Sequence, residues 1–197
     1  MEDSILLFLQ DNIRNGVMTP VMKVISMLGG YGGAFWIGLA VTMIVLKRTR
    51  WVGIAMGTSM ALSGIITNLI LKKIMNRPRP FDSIQGLVPE GTRPTDASFP
   101  SGHAALGCAV ATVMVLTLPW IIEKKRAHQI AAVFIVVAVL LSFSRLYLGV
   151  HYPTDVLVGM LLGVVYGIVA KVVIGKIRER FSRTDDSGTA SSSETRI

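Results

Sequence analysis

An all-α integral membrane bundle is the fold class this sequence predicts, and three observations predict it. Hydrophobic residues make up 51% of the 197 residues, more than a water-exposed domain of this size needs. They are gathered into long runs at 33–47, 51–71, 103–122, 129–147 and 156–175, each close to the roughly 20 mostly apolar residues that cross a bilayer. Glycines recur at helical spacing inside two of those runs: Gly53 with Gly57, and Gly159 with Gly163 and Gly167. Such small-residue ladders let membrane helices approach closely.

The first element is irregular. Residues 4–28 are apolar but are interrupted by Asp11, Asn12, Arg14, Asn15, Gly16 and Pro20. They read as two short amphipathic helices lying in the interface, with an irregular sixth span as the alternative. Glu2 and Asp3 stand where a basic n-region would begin, so no removable signal peptide is expected. Gly29, Gly30, Gly32 and Gly33 mark a hinge before the first span, which is short. Residues 1–181 then form one domain, with interfacial helices in 1–32 and a transmembrane core in 33–181; the polar segment 182–197 (SRTDDSGTASSSETRI) is expected to be a disordered tail. Cys108, the single cysteine, lies inside an apolar run and reads as a small buried residue.

The net charge of +8 is explained by where the cations lie, with no nucleic-acid partner needed. Lys47, Arg48 and Arg50 follow the first run; Lys124, Lys125 and Arg126 follow the third; Lys176, Arg178, Arg180 and Arg183 follow the last. If all five runs cross, these clusters share one side, which the positive-inside rule makes cytoplasmic, with the C-terminal tail. A fourth cluster, Lys72, Lys73, Arg77 and Arg79, falls on the other, extracytoplasmic side. Cations set against the topological bias point to an anionic ligand.

Three polar stretches share that side. In KKIMNRPRPF (72–81), Pro78 and Pro80 disfavour helix before them, so the second span should end near Asn76. Arg79, fixed between two prolines, loses little entropy on forking onto an anion. Lys73 and Arg77 read instead as interfacial cations that snorkel. In SFPSGHAALG (98–107), Ser101 stands at the N-cap position of the third span, with the Gly102 N–H and His103 in its first turn; such an end attracts phosphate, although an ordinary capped helix would look the same. In SRLYLGVHYPTD (144–155), Arg145 ends the fourth span, His151 occupies the turn, and Asp155 opens the fifth span, where it can accept from His151 Nδ1–H. Cations that hold a spread negative charge, one imidazole to attack and another to protonate a leaving oxygen are what phosphoryl transfer without a metal requires.

These stretches read Lys72 to Arg79-Pro80, then Pro100-Ser101-Gly102-His103, then Ser144-Arg145 through His151 to Asp155. In that form the chain resembles the type-2 phosphatidic acid phosphatases, whose signature is K-x6-R-P, P-S-G-H and S-R-x5-H-x3-D; the resemblance covers about residues 30–175. It implies a membrane bundle, commonly of six helices, that hydrolyses a lipid phosphate with no metal and no cofactor. His151 is implied as the nucleophile that becomes phosphohistidine, Asp155 as its orienting partner and His103 as the general acid. Lys72, Arg79, Arg145, the Ser101 hydroxyl and the Gly102 N–H are implied as the phosphate cradle. Chelators are expected to leave such an activity intact, and vanadate to inhibit it.

Within the family, the loop FDSIQGLVPEGTRPTDASF (81–99), above all its DASFPS, is similar to that of bacterial enzymes acting on undecaprenyl diphosphate. That lipid ranks first as substrate, with Arg93 a candidate for its second phosphate. Phosphatidylglycerophosphate or phosphatidic acid is the alternative, and a non-catalytic anion or lipid transporter the alternative of another class. The partners implied are the bilayer and a lipid phosphate; head group, chain and oligomeric state are not legible.

Overall fold

A computed structural model describes residues 1–30 and 33–194, with side chains through Arg183. The described residues are helical with no strand. The chain opens with α1 (Glu2–Phe8), continued by a wider-turned stretch, Leu9–Ile13, and α2 (Met18–Met27). Next come α3 (Ala34–Val45) and α4 (Arg50–Leu62). The latter continues through wide turns at Ser63–Leu71 into the single turn α5 (Lys72–Met75). After α6 (Pro80–Ser83) and a long loop come α7 (Gly102–Thr117), α8 (Lys124–Tyr147) and α9 (Pro153–Glu194). Gly32 of the expected hinge lies outside the described residues, as does the expected tail from Thr184 onward in its side chains.

Among the described residues, four segments are long and apolar enough to cross a membrane: Arg50–Ser83, Gly102–Trp120, Lys124–Tyr147 and Pro153–Arg183. The fifth expected span is shorter. Ala34–Val45 has 12 residues, about 18 Å of helix at the usual rise, against roughly 30 Å of hydrocarbon. Gly33, in the left-handed region at φ +79°, begins it, and extended backbone at Leu46 ends it. Large apolar side chains such as Leu69, Val133, Val136, Leu157 and Leu161 are exposed around the outside, which lipid satisfies and water would not.

The central helix is α7, which packs against α4, α8 and α9. Its sequence is small and apolar on every side, and Ala104, Ala105, Ala109, Val110 and Val113 are fully buried, as a helix without a polar face requires. The glycine ladder of α9 lies directly on it. A Cβ at Gly159 would stand 2.5 Å from the Ser101 carbonyl oxygen, one at Gly163 2.8 Å from Cys108 Cβ, and one at Gly167 2.5 Å from Thr112 Cβ. Cys108 is unpaired and buried in this seam. Gly53 similarly admits α3, where a Cβ would meet the Ile44 backbone nitrogen at 2.7 Å, whereas Gly57 faces open space.

Three basic clusters gather at one end. Arg48 Nη2 donates to the Ile121 carbonyl at 3.2 Å, joining the α3–α4 link to the α7–α8 link. Arg178 lies over the Trp120 ring at 5.0 Å, bringing in α9. Since α8 carries Lys124 and Arg145 at its two ends, about 30 Å apart at helical rise, Arg145 belongs to the opposite end of the bundle. The N-terminal helices dock there too: Arg14 Nε donates to the Tyr147 carbonyl at 2.7 Å, and Asn15 N–H donates to the Tyr147 hydroxyl at 3.1 Å.

Candidate active site

The second span ends where its prolines dictate. Asn76 caps α5 in the left-handed region at φ 39°, and Pro80 starts a new helix. The extended turn between them carries Arg79 inward, so that its side chain is 4% exposed beside a Lys72 side chain that is 8% exposed. Ser101 is the N-cap of α7, its hydroxyl accepting from Ala104 N–H at 3.5 Å. His103 follows in the first turn. At the end of α8, Arg145 is buried; Nη1 donates to the Ser26 hydroxyl of α2, while Nε has no partner among the described residues.

These ends surround one cavity of about 580 Å³. Lys72, Arg79, Gly102, His103, Arg145 and His151 line it together. Apolar side chains line it as well, Ile37, Val41 and Ile44 of α3 and Met60 and Ala61 of α4, together with the polar Ser63, Asn68 and Asp96. Gly29 makes room for the imidazole, since a Cβ there would stand 2.5 Å from His103 Cδ2. Ser101 and Asp155 are fully buried and stand behind this lining, held to each other by Ser101 N–H donating to the Asp155 carbonyl at 2.9 Å.

The protonation of His151 follows from its neighbours. Arg79 Nη1 lies 3.1 Å from His151 Nε2, and a guanidinium can only donate, so Nε2 carries its lone pair. The proton is then on Nδ1, 3.5 Å from Asp155 Oδ2 and without a closer partner among the described residues. That separation is long for a hydrogen bond, as catalytic contacts often are before substrate binds. Burial pushes the imidazole down to about 3, outweighing the facing Asp155 carboxylate, which raises it, so the ring is neutral at pH 7.

The second layer was not legible from local spacing. Asp155 Oδ1 accepts from Arg77 Nη1 at 2.6 Å, and Oδ2 accepts from Tyr152 N–H at 2.9 Å and from the Ser98 hydroxyl. Arg77 also stacks on the Tyr152 ring at 3.9 Å and donates from Nη2 to Glu2 at 2.8 Å. This corrects its reading as a snorkelling cation. Glu2 accepts from the Thr154 N–H and hydroxyl as well. Burial would raise its carboxyl, but the Thr154 and Arg77 hydrogen bonds outweigh that and lower it. The chain's first turn thus reaches the site, a role the acidic start did not suggest.

Asp96, from the loop before α7, is the other addition. Its Oδ1 accepts from Arg79 Nη2 at 2.6 Å and its Oδ2 from Lys72 Nζ, while its backbone carbonyl accepts from Arg79 Nε at 2.9 Å. Partial burial would raise the carboxyl, yet Lys72 and Arg79 outweigh it and bring it down to about 2. Arg93 lies elsewhere, 5.8 Å over the Phe81 ring. It lines a second recess, which shares Arg79, Pro94 and Asp96 with the first.

Comparison with known proteins places this arrangement. Residues 52–179, which contain every lining cation and both histidines, match the model of the PAP2 superfamily. The undecaprenyl-diphosphatase of Sulfolobus acidocaldarius is 36% identical over 153 residues, 76% of this chain and 65% of that protein's length. The phosphatidylglycerophosphatase B of Bacillus subtilis is 34% identical over 173 residues, 84% of this chain and 80% of its own. The crystal structure of a transmembrane PAP2-type phosphatidylglycerolphosphate phosphatase from Bacillus subtilis superposes with a TM-score of 0.74 at 29% identity, over 89% of this chain and 85% of that one. The chain is an integral membrane protein and belongs to the PAP2 superfamily.

Proposed function

We propose that the chain hydrolyses a lipid phosphate or diphosphate through a phosphohistidine on His151, at the extracytoplasmic face of the membrane. The observation that carries this reading is the mixed lining of one cavity: two imidazoles and three buried cations share it with apolar side chains of α3 and α4. A lipid has the matching mixed character, with its phosphate at headgroup depth and its tail in hydrocarbon. The positive-inside rule supports the extracytoplasmic side, because the basic links gather at the end of the bundle away from Arg145 and the two histidines.

The Nε2 lone pair of His151 attacks phosphorus as the bond to the leaving oxygen breaks. That oxygen takes the bond's electron pair and accepts a proton from His103, which the bound phosphate's negative charge favours in its imidazolium form. Lys72, Arg79, Arg145 and the Gly102 N–H at the start of α7 hold the three remaining oxygens as charge spreads over them. Water then attacks the phosphohistidine, giving its proton to His103, and the N–P electron pair returns to Nε2. Asp155 stabilises the charge on His151 between the two steps, and Ser101 fixes the helix start.

Undecaprenyl diphosphate is the substrate proposed first, with the terminal phosphorus attacked and undecaprenyl phosphate leaving. The similarity to the Sulfolobus undecaprenyl-diphosphatase favours it. The Bacillus relative and the superposed crystal structure favour a second substrate, phosphatidylglycerophosphate. Phosphate release from purified protein in detergent, across undecaprenyl diphosphate, phosphatidylglycerophosphate, phosphatidic acid and a tail-less phosphate ester, tests the reading. Turnover of at least one lipid well above the tail-less ester is expected. No release from any of them would leave the anion or lipid transporter reading in its place.

A further inference from the structure

We infer that the Asp96 carboxylate is a resident stand-in for the substrate's phosphate, occupying Lys72 and Arg79 until the substrate displaces it. The inference rests on the phosphatase reading above and concerns how that site is held between turnovers.

Lys72 and Arg79 are nearly buried cations, and cations out of water demand an anion close by. Asp96 supplies it, with one oxygen on each. A phosphate held by the same two cations would place its oxygens where these carboxylate oxygens are, so the two cannot both be bound there. The remaining bonds fix how the exchange occurs. Arg79 is held independently of the carboxylate, through Nε on the Asp96 backbone carbonyl and through Nη1 on the Val150 carbonyl at 2.7 Å. The loop carbonyl therefore stays in place while the side chain turns, and no loop opening is needed. The side chain is free to turn because it is 55% exposed, unlike the cations it covers. The second recess, lined by Arg93 and sharing Asp96 with the cavity, lies on its other side.

The charges close on the same conclusion. Lys72, Arg79 and Arg145 against Asp96 leave two positive charges at the cavity, and Arg145 Nε has no hydrogen-bond partner among the described residues. With the carboxylate turned away the three cations face a phosphate dianion directly.

An anion competing for its own site weakens apparent affinity by the fraction of molecules in which the site is open. Asp96→Asn removes the competitor and keeps the shape. If the site is open in a tenth of molecules, inhibition by orthovanadate and by inorganic phosphate should tighten about tenfold in Asp96→Asn and in Asp96→Ser. KM for the lipid should fall, and kcat should hold or fall as product phosphate leaves more slowly. Both variants should melt below wild type without anion and rise more than wild type when vanadate is added. Inhibition constants that stay level or rise would overturn the inference and leave Asp96 as a brace for Arg79. Failure of both variants to fold even when prepared in phosphate would overturn it too, since phosphate would then not replace the carboxylate. A wild-type protein that neither releases phosphate nor responds to vanadate would instead overturn the phosphatase reading itself.

Discussion

Arg77 Nη1 donates to Asp155 Oδ1 at 2.6 Å, so the carboxylate that faces His151 is held from behind by a cation 78 residues away in the chain. The same guanidinium reaches Glu2 and lies over the Tyr152 ring. It touches neither the cavity nor its imidazoles, and its effect on chemistry passes through Asp155.

Arg77 is accordingly a positioning residue. Arg77→Ala should lower kcat about 10- to 100-fold, the usual cost of removing an outer partner, with KM changed little. Arg77→Lys should recover part of the loss, because it restores charge without the fork. Steady-state kinetics on folded variants check this. A raised KM with kcat intact would mean that Arg77 binds phosphate.

His151 makes stability depend on acid. Its imidazole is held down to about 3 in the fold by burial, while an unfolded chain protonates it near 6.5. Below about pH 6.5 the unfolded chain therefore binds a proton that the folded one refuses. Stability is fully present above that pH and falls by up to about 1.4 kcal/mol per pH unit as acid is added toward pH 3. Denaturant unfolding in micelles between pH 7.5 and 4.5 should show the decline, and His151→Gln should flatten it. An equal slope in the variant would contradict the neutral, buried imidazole.

Packing of α9 on α7 gives a contrast within one residue type. Gly163→Ala places a methyl 2.8 Å from Cys108 Cβ and 2.9 Å from the Ala109 nitrogen, so backbone must move. A loss of about 1–3 kcal/mol is expected from overpacking. Gly38→Ala, with nothing within 4 Å, should be neutral or stabilising by up to about 1 kcal/mol through helix propensity. Equal effects of the two would mean that the helices do not approach at Gly163.

Much of this was legible in the sequence because the signals are local. Pro78 ends a helix at Asn76 wherever the chain goes next, Ser101 caps α7, and the ladder Gly159, Gly163, Gly167 marks the face of α9 that meets α7. The signature histidines announced a shared site, and both line the cavity. What escaped were the residues whose partners are distant. Glu2 meets Arg77 across 75 residues and Ser98 meets Asp155 across 57, and no spacing rule links them. Asp96 sat inside a loop read only for its likeness to a family. The length of α3 was overestimated because apolar composition persists to Leu46 and does not register where the backbone turns extended.

The central claim is a phosphorus–nitrogen bond to His151. Wild-type protein mixed with a lipid phosphate labelled in the scissile phosphoryl group and quenched within milliseconds should carry label that survives base and is lost in acid, on the peptide containing His151. His151→Ala, still folded, should carry none and release no phosphate. Label on another residue, or phosphate release by His151→Ala at the wild-type rate, would contradict the account.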